Sequence, residues 1–269
     1  MDADVLHHLP PWLHGSLTPL SGGLTNRSYR LTTGQGRYWL RWGCPHPQEL
    51  GIDRRHERIA HQAAAEAGLA PAMRYCDPKR GILVLDWLDE PDWRQRPGTL
   101  ASLMPRVARL HQLVPAGLPV LNLFEQARHY RRQLSAAPSW LAPLLAHFDN
   151  PALSPGFVPA LCHCDLTAGN LIGARPWLVD WEYACLADPA FELAVIADDR
   201  GLNEEGCTEL LARYRAAGGD MTMARLRARV PWVQLLTLLW ALVQHQHSGG
   251  AEYQVWLERA RARLLLSLG

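Results

Sequence analysis

Lysine is nearly absent from this 269-residue chain: Lys79 is the one lysine among 27 basic side chains, and every other is an arginine. A site that must hold phosphate through a protein cation therefore depends on a guanidinium, which stays charged and donates through a planar fork. Net charge is nearly absent too, at +1. That removes the bulk attraction expected of a nucleic-acid or anionic-membrane binder, so any ligand is recognised locally. No apolar run reaches the ~18 residues that suggest a membrane span. The most apolar stretch, Val230 to Val243, contains Pro231, Gln234 and Thr237 and reads as a core or cleft-wall helix. There is no charged-then-apolar leader, and the six cysteines stand in mostly apolar settings, so reduced thiols and a cytoplasmic location are expected. Cys162-His163-Cys164 has no second ligand pair at zinc-finger spacing, and on a strand the two cysteines would share one face with His163 on the other. Zinc is not expected there.

The length suits one large domain or two modest lobes meeting at a cleft. The first third reads as strands and turns with one helix. Ser21-Gly22-Gly23-Leu24-Thr25-Asn26-Arg27 is followed by Tyr29 and Leu31 in alternation, the turn Thr33-Gly34-Gln35-Gly36, and the strand Arg37 to Trp42. That predicts a hairpin introduced by a glycine-rich loop. Between Asp53, a candidate N-cap, and Gly68, a candidate C-cap, Ile59, Ala60, Ala63 and Ala67 recur at helical spacing. A buried strand over Gly81 to Leu88 runs into Asp89-Glu90-Pro91-Asp92, where the lobe boundary is expected, giving lobes 1–90 and 91–269. Beyond it Leu100, Leu103, Val107 and Leu110 share a face, with Pro105 predicting a kink or a helix start near Ser102. The stretch from Pro138 to Pro159 reads as a loop-rich connector, and two helices at roughly 231–247 and 251–267 close the chain. The fold class expected is α+β: a small N-terminal lobe with an antiparallel sheet and one helix, and a larger, mainly helical C-terminal lobe.

The strongest local signal is His163-Cys164-Asp165-Leu166-Thr167-Ala168-Gly169-Asn170. It has the H-x-D-x-x-x-x-N spacing of a kinase catalytic loop, in which the aspartate accepts a hydroxyl proton and the asparagine holds magnesium. Asp165, His163 and Asn170 are the candidate catalytic residues, with His163 orienting the loop rather than exchanging protons. Ten residues on, the strand Trp177-Leu178-Val179 delivers Asp180, and a carboxylate at the end of a buried strand is costly unless paired or ligating a metal. Asn170 and Asp180 offer hard oxygen donors suited to magnesium. Arg41 lies on the strand after the hairpin, where kinases place a phosphate-holding lysine, and Glu57 on the next helix would pair with it. Gly22 and Gly23, with Asn26, would let backbone N–H groups approach phosphate, and the backbone from Asp86 to Leu88 is the natural place for adenine to dock. ATP and magnesium are thus the expected co-substrate and cofactor.

With these residues in hand the chain resembles the choline kinase and thiamine kinase branch of the aminoglycoside phosphotransferase superfamily, from Ser21 to about Arg263. The segment from His163 to Asn170 and Leu178-Val179-Asp180-Trp181-Glu182-Tyr183-Ala184 carry the resemblance most specifically. The branch includes bacterial members with arginine at the position matching Arg41. The resemblance implies a protein-kinase-like fold, Asp165 as catalytic base, Asn170 and Asp180 as magnesium ligands, and Arg41 with Glu57 as the phosphate-positioning pair. It also implies that Trp240, Tyr253 and Trp256, with Glu182, belong to the substrate side, where ring faces attract a cationic alcohol. Thr237 stands where those kinases carry another tryptophan, which implies a weaker or differently shaped box. The expected reaction is transfer of the ATP γ-phosphoryl group to a hydroxyl of a small, cationic, thiamine-, choline- or ethanolamine-like alcohol. An aminoglycoside or amino-sugar kinase of the same architecture and a non-catalytic nucleotide-binding module remain as alternatives; a protein kinase is disfavoured because no activation loop follows Asp180.

Overall fold

The computed structural model describes residues 2–20, 26–150, 153 and 156–268. Five strands form the N-terminal sheet: β1 (Ser16–Leu20), β2 (Arg27–Thr33), β3 (Gly36–Trp42), β4 (Met73–Asp77) and β5 (Ile82–Asp86), antiparallel in the order β1-β2-β3-β5-β4. Strand alternation sorts the side chains. Tyr29, Leu31, Tyr38, Leu40, Ile82 and Val84 bury one face against Val5, Leu9 and Leu13 of the N-terminal segment. Arg41, next to Leu40 and paired in register with Leu83, points to the other face. The expected hairpin is present as β2 and β3.

Helix α1 (Arg54–Glu66) covers that other face. Its Asp53 cap accepts the Arg55 N–H at 2.8 Å, and Gly68 beyond its end takes φ +67°, the left-handed value glycine accommodates. Its buried stripe is Arg54, Glu57, Ala60, His61 and Ala64; of the apolar residues expected inside, Ala60 and Ala67 are buried while Ile59 and Ala63 are half-buried. The helix therefore carries two charged groups into the interior.

The C-terminal lobe is built from α2 (Leu100–Leu110), α3 (Leu123–Gln133), α4 (Leu141–Phe148), β6 (Ala160–Cys162), β7 (Leu171–Ile172), β8 (Trp177–Leu178), β9 (Cys185–Ala187), α5 (Pro189–Asp199), α6 (Glu204–Ala216), α7 (Met223–Ser248) and α8 (Ala251–Leu268). β6 pairs with β9 and β7 with β8, each antiparallel. Together with the N-terminal sheet this is the α+β, two-lobed, protein-kinase-like arrangement the sequence led us to expect.

Two boundaries differ from expectation, those of α4 and α7, each through proline. The connector after Pro138 holds α4, because Pro143 falls in the first turn, where a backbone N–H has no intrahelical partner to lose. Helix α2 starts at Leu100, capped by Thr99, and keeps Pro105 inside. Helix α7 starts eight residues before Pro231: Thr222 caps it, and Arg229 donates to Asp188 at 2.9 Å while Trp232 donates to the Leu153 carbonyl at 2.9 Å. These buried bonds hold the first turns in place across the proline. At 26 residues α7 is long and apolar enough to cross a membrane by length and composition, but 67% of its apolar window is buried in the protein, packed by α3, α5 and α8.

Candidate active site

The loop after β6 is held from behind. Glu192, on α5 and wholly buried, accepts the backbone N–H of His163 at 2.7 Å and of Cys164 at 3.0 Å. Cys164 then takes φ +66°, turning the chain so that Asp165 follows. Asn170 closes the loop on itself: its amide Nδ2 donates to the Asp165 carbonyl and to Asp165 Oδ2, both at 2.8 Å. The Thr167 N–H also reaches the Asp165 carbonyl at 2.9 Å, and Asp199 accepts the Ala168 N–H at 2.9 Å. His163 is fully buried. Its Nε2–H donates to the Val179 carbonyl at 2.9 Å and its ring lies 4.6 Å from that of Trp181. Burial lowers its pKa and keeps it neutral, which suits a hinge between two loops and not a proton carrier.

Asp180 also takes a left-handed φ, +65°, just after β8, and the Val179 N–H bonds to the Asn170 carbonyl at 3.0 Å. The two loops are thereby laid side by side. Burial first, then Asp180 and Glu182, push the Asp165 carboxyl well above the ordinary carboxylate range. Burial and the neighbouring Glu182 raise Asp180 to about 7, against the opposing pull of Arg41. Among the described residues Asp180 Oδ1 has no hydrogen-bond partner, and Arg41 Nη1 stands 4.0 Å from it. A shielded carboxylate oxygen without a partner, beside the amide of Asn170, offers hard oxygen donors that fit a magnesium ion.

Arg41 itself is 2% exposed and gives both terminal nitrogens to Glu57, Nη2 at 2.8 Å. Burial alone would lower its pKa, but the Glu57 carboxylate outweighs this and raises it. Burial would raise Glu57, but Arg41 and then Arg54 pull it below its usual value. The pair is a charged one. Sequence reasoning missed Arg54, one turn before Glu57, whose Nη1 donates to Glu57 at 3.0 Å and to Glu182 at 2.9 Å. A sheet arginine, two α1 side chains and the loop after Asp180 form one buried network.

That network corrects two expectations. Asn26, expected beside the phosphates, commits its side-chain amide to this network: Nδ2 donates to Glu182 at 2.8 Å, and Oδ1 accepts from Arg54 at 2.8 Å and from the Cys44 N–H at 3.1 Å. Glu182 is 7% exposed beneath Arg54 and Asn26 instead of joining the aromatic group. Desolvation is the reason, since a carboxylate this buried must be matched by a nearby cation. Gly22 and Gly23 lie outside the described residues. Asp86 ends β5, with its carboxylate on Arg74 at 2.6 and 2.7 Å and its N–H on the Ala72 carbonyl; Leu88 follows two residues later, half-buried.

Trp240 on α7 and Tyr253 and Trp256 on α8 do come together: the Trp240 ring centroid lies 5.8 Å from Tyr253 and 6.5 Å from Trp256, both edge-on. Tyr253 is buried and Trp256 is 39% exposed. Tyr183, three residues after Asp180, joins them by accepting the Trp240 indole N–H at 3.0 Å. It was overlooked although it stands within the segment that carries the resemblance. Glu192 and Asp199 were missed as well; the one sequence cue to Glu192 was its place in the first turn after Asp188-Pro189.

A five-stranded sheet and one helix above a helical lobe, with an aspartate–asparagine loop laid against a second aspartate and a buried Arg–Glu pair, define a kinase-type phosphotransferase. Residues 16–230 match the model of the phosphotransferase enzyme family, and the chain belongs to that family. It is 25% identical over 260 residues to protein LicA of Haemophilus influenzae, covering 88% of this chain and 76% of that one. Among solved structures, a choline/ethanolamine kinase family protein from Mesorhizobium loti is 26% identical with a TM-score of 0.80, over 99% of this chain and 93% of that one. Choline kinase LicA from Streptococcus pneumoniae shares the fold at 19% identity and a TM-score of 0.79, over 93% of each chain. The protein is an enzyme, a small-molecule kinase.

Proposed function

We propose that this enzyme transfers the γ-phosphoryl group of ATP to the hydroxyl of a small cationic alcohol of the choline, ethanolamine or thiamine kind. The observation that carries the reading is the Asp165–Asn170 clasp laid against Asp180, whose Oδ1 has no hydrogen-bond partner among the described residues. Residues 1–90 form the nucleotide-binding lobe and 91–269 the catalytic and acceptor-binding lobe, with the six free cysteines suiting a reducing cytoplasm.

Asp165 accepts the proton of the acceptor hydroxyl at its carboxylate, and Asn170 keeps that carboxylate in one orientation through its amide. Magnesium on Asn170 and Asp180 would neutralise the triphosphate and the Asp180 charge that now pushes Asp165 upward. Arg41, fixed by Glu57, sets the position of the phosphates; Gly22, Gly23 and the backbone from Asp86 to Leu88 are the remaining nucleotide contacts we assign. Alignment and charge stabilisation supply most of the acceleration. Trp240, with Tyr183, Tyr253 and Trp256, presents ring surface to the cation at about 0.5–2 kcal/mol per contact. Trp240, Tyr253 and Trp256 lie beyond the family-matched residues 16–230, as a feature tuned to one acceptor should, while Tyr183 lies within them.

The test is to incubate the purified protein with Mg-ATP and thiamine, choline, ethanolamine, amino sugars or an aminoglycoside, reading products by mass spectrometry beside Asp165→Ala. A phosphorylated cationic alcohol that disappears in the variant supports the reading. A phosphorylated aminoglycoside or amino sugar in its place overturns the acceptor class, and ATP binding with no product from any acceptor overturns transfer to these alcohols.

A further inference from the structure

We propose that Cys164 and Cys185 form a reversible disulfide, an oxidation site beside the catalytic aspartate that turns the loop off. Three cysteines converge behind this loop. Cys162 ends β6, Cys185 begins β9 opposite it in the antiparallel register, and Cys164 follows two residues on in the same apolar cluster. All are free thiols. The Sγ atoms of Cys164 and Cys185 are 3.6 Å apart, whereas the Cys162 thiol is turned to the Ala187 carbonyl at 3.8 Å. The reactive pair is therefore 164 with 185.

Geometry makes this pair consequential. A disulfide needs about 2.05 Å between sulfurs, so roughly 1.5 Å must be closed. Cys164 has little slack to give: its N–H is fixed by Glu192, and its φ of +66° disfavours any residue with a Cβ. The next residue is Asp165. A shift of ~1 Å in a catalytic group costs on the order of 100-fold in rate, so the strain of cross-linking passes directly to the group assigned as base. That effect on turnover rests on the phosphoryl-transfer reading above; the cross-link itself does not.

The oxidant is hydrogen peroxide. One thiolate attacks the peroxide oxygen, the O–O bond breaks, and a sulfenic acid and one water result; the second thiol attacks that sulfur, the S–S bond forms and a second water leaves. Two electrons pass from the sulfurs to peroxide, and both thiol protons end in water. A dithiol reverses the step. The hydrogen bond to Cys185 and burial hold the Cys164 thiol well above its ordinary pKa, so the pair stays reduced until peroxide is abundant.

The experiment treats the full-length protein with hydrogen peroxide, alkylates remaining thiols, and maps chymotryptic peptides without reduction; cleavage at Trp181 or Tyr183 separates the two cysteines. Mg-ATP consumption with the acceptor panel is followed in parallel. We expect a 164–185 linked peptide, at least a tenfold loss of turnover in step with it, and recovery of both by dithiothreitol. Cys185→Ser should match the untreated wild type and resist peroxide. Sulfinic or sulfonic acid at Cys164 without the linked peptide overturns the proposal, and so does a link that leaves turnover intact. The map needs no substrate, so it stands or falls separately from the acceptor assignment, even if Cys185→Ser fails to fold.

Discussion

Around Asp165 the polar atoms hold one another through hydrogen bonds of 2.7–3.0 Å, within the loop after β6 and from that loop to α5. Around Trp240 the contacts are edge-on rings and a single indole hydrogen bond to Tyr183. The first region is over-determined, because each buried charge or amide must be satisfied and few arrangements satisfy them all. The second is determined mainly by the shape of its rings. Substitutions should therefore fail sharply in the first and gradually in the second.

The largest effects belong to the carboxylates. Asp180→Ala should abolish magnesium-dependent turnover, and Asp165→Ala should lower kcat at least ~100-fold, as loss of a general base does; steady-state kinetics with near-normal activity in either would dissolve the contrast. Next comes the buried charge network. Arg54→Leu leaves Glu57 and Glu182 without a shared cation and should cost about 3–5 kcal/mol of stability, read from urea unfolding, with part of it restored by adding Glu182→Leu. Equal stability of the single and double variants would show that Arg54 and Glu182 are not coupled.

The aromatic region should respond more softly. Trp240→Ala is expected to raise the KM of the cationic alcohol by roughly 2- to 30-fold, the equivalent of losing about 0.5–2 kcal/mol of cation–π attraction, while the KM of ATP stays put. A matching change in both constants would make Trp240 a packing residue. The smallest effect concerns pH. Asp180, held near 7 when folded against ~3.9 when unfolded, binds more protons in the native state, so it favours folding fully below the unfolded value and loses that contribution as pH rises toward 7. Magnesium should offset the loss by taking the ionised form. Its thermal shift should be larger at pH 8 than at pH 6, and a shift independent of pH would remove Asp180 from the metal site.

Much of the over-determined region was legible in the chain. The spacing from His163 to Asn170 and the strand ending at Asp180 are short-range patterns, and the Arg41–Glu57 pair followed from where a hairpin and its next helix place their residues. Arg54, Glu192 and Tyr183 were not legible, since each acts on a residue between 28 and 128 positions away or across the lobe: Arg54 on Glu182, Glu192 on the N–H of Cys164, Tyr183 on Trp240. Asn26 and Glu182 were noticed but given the wrong neighbours for the same reason. Proline misled at Pro143, which falls in the first turn of α4, and at Pro231, where a cap and buried tertiary bonds carry α7 across it.

The amino-acid order alone carried the fold class, the candidate loop from His163 to Asn170 and the chemistry of its donors, because backbone periodicity and motif spacing are local and survive without knowledge of partners. The folded arrangement sets which charges share the interior, which carboxylate oxygen lacks a hydrogen bond among the described residues, and that two thiols 21 residues apart lie 3.6 Å from one another. Those outcomes depend on desolvation and packing between distant segments, which no local pattern encodes.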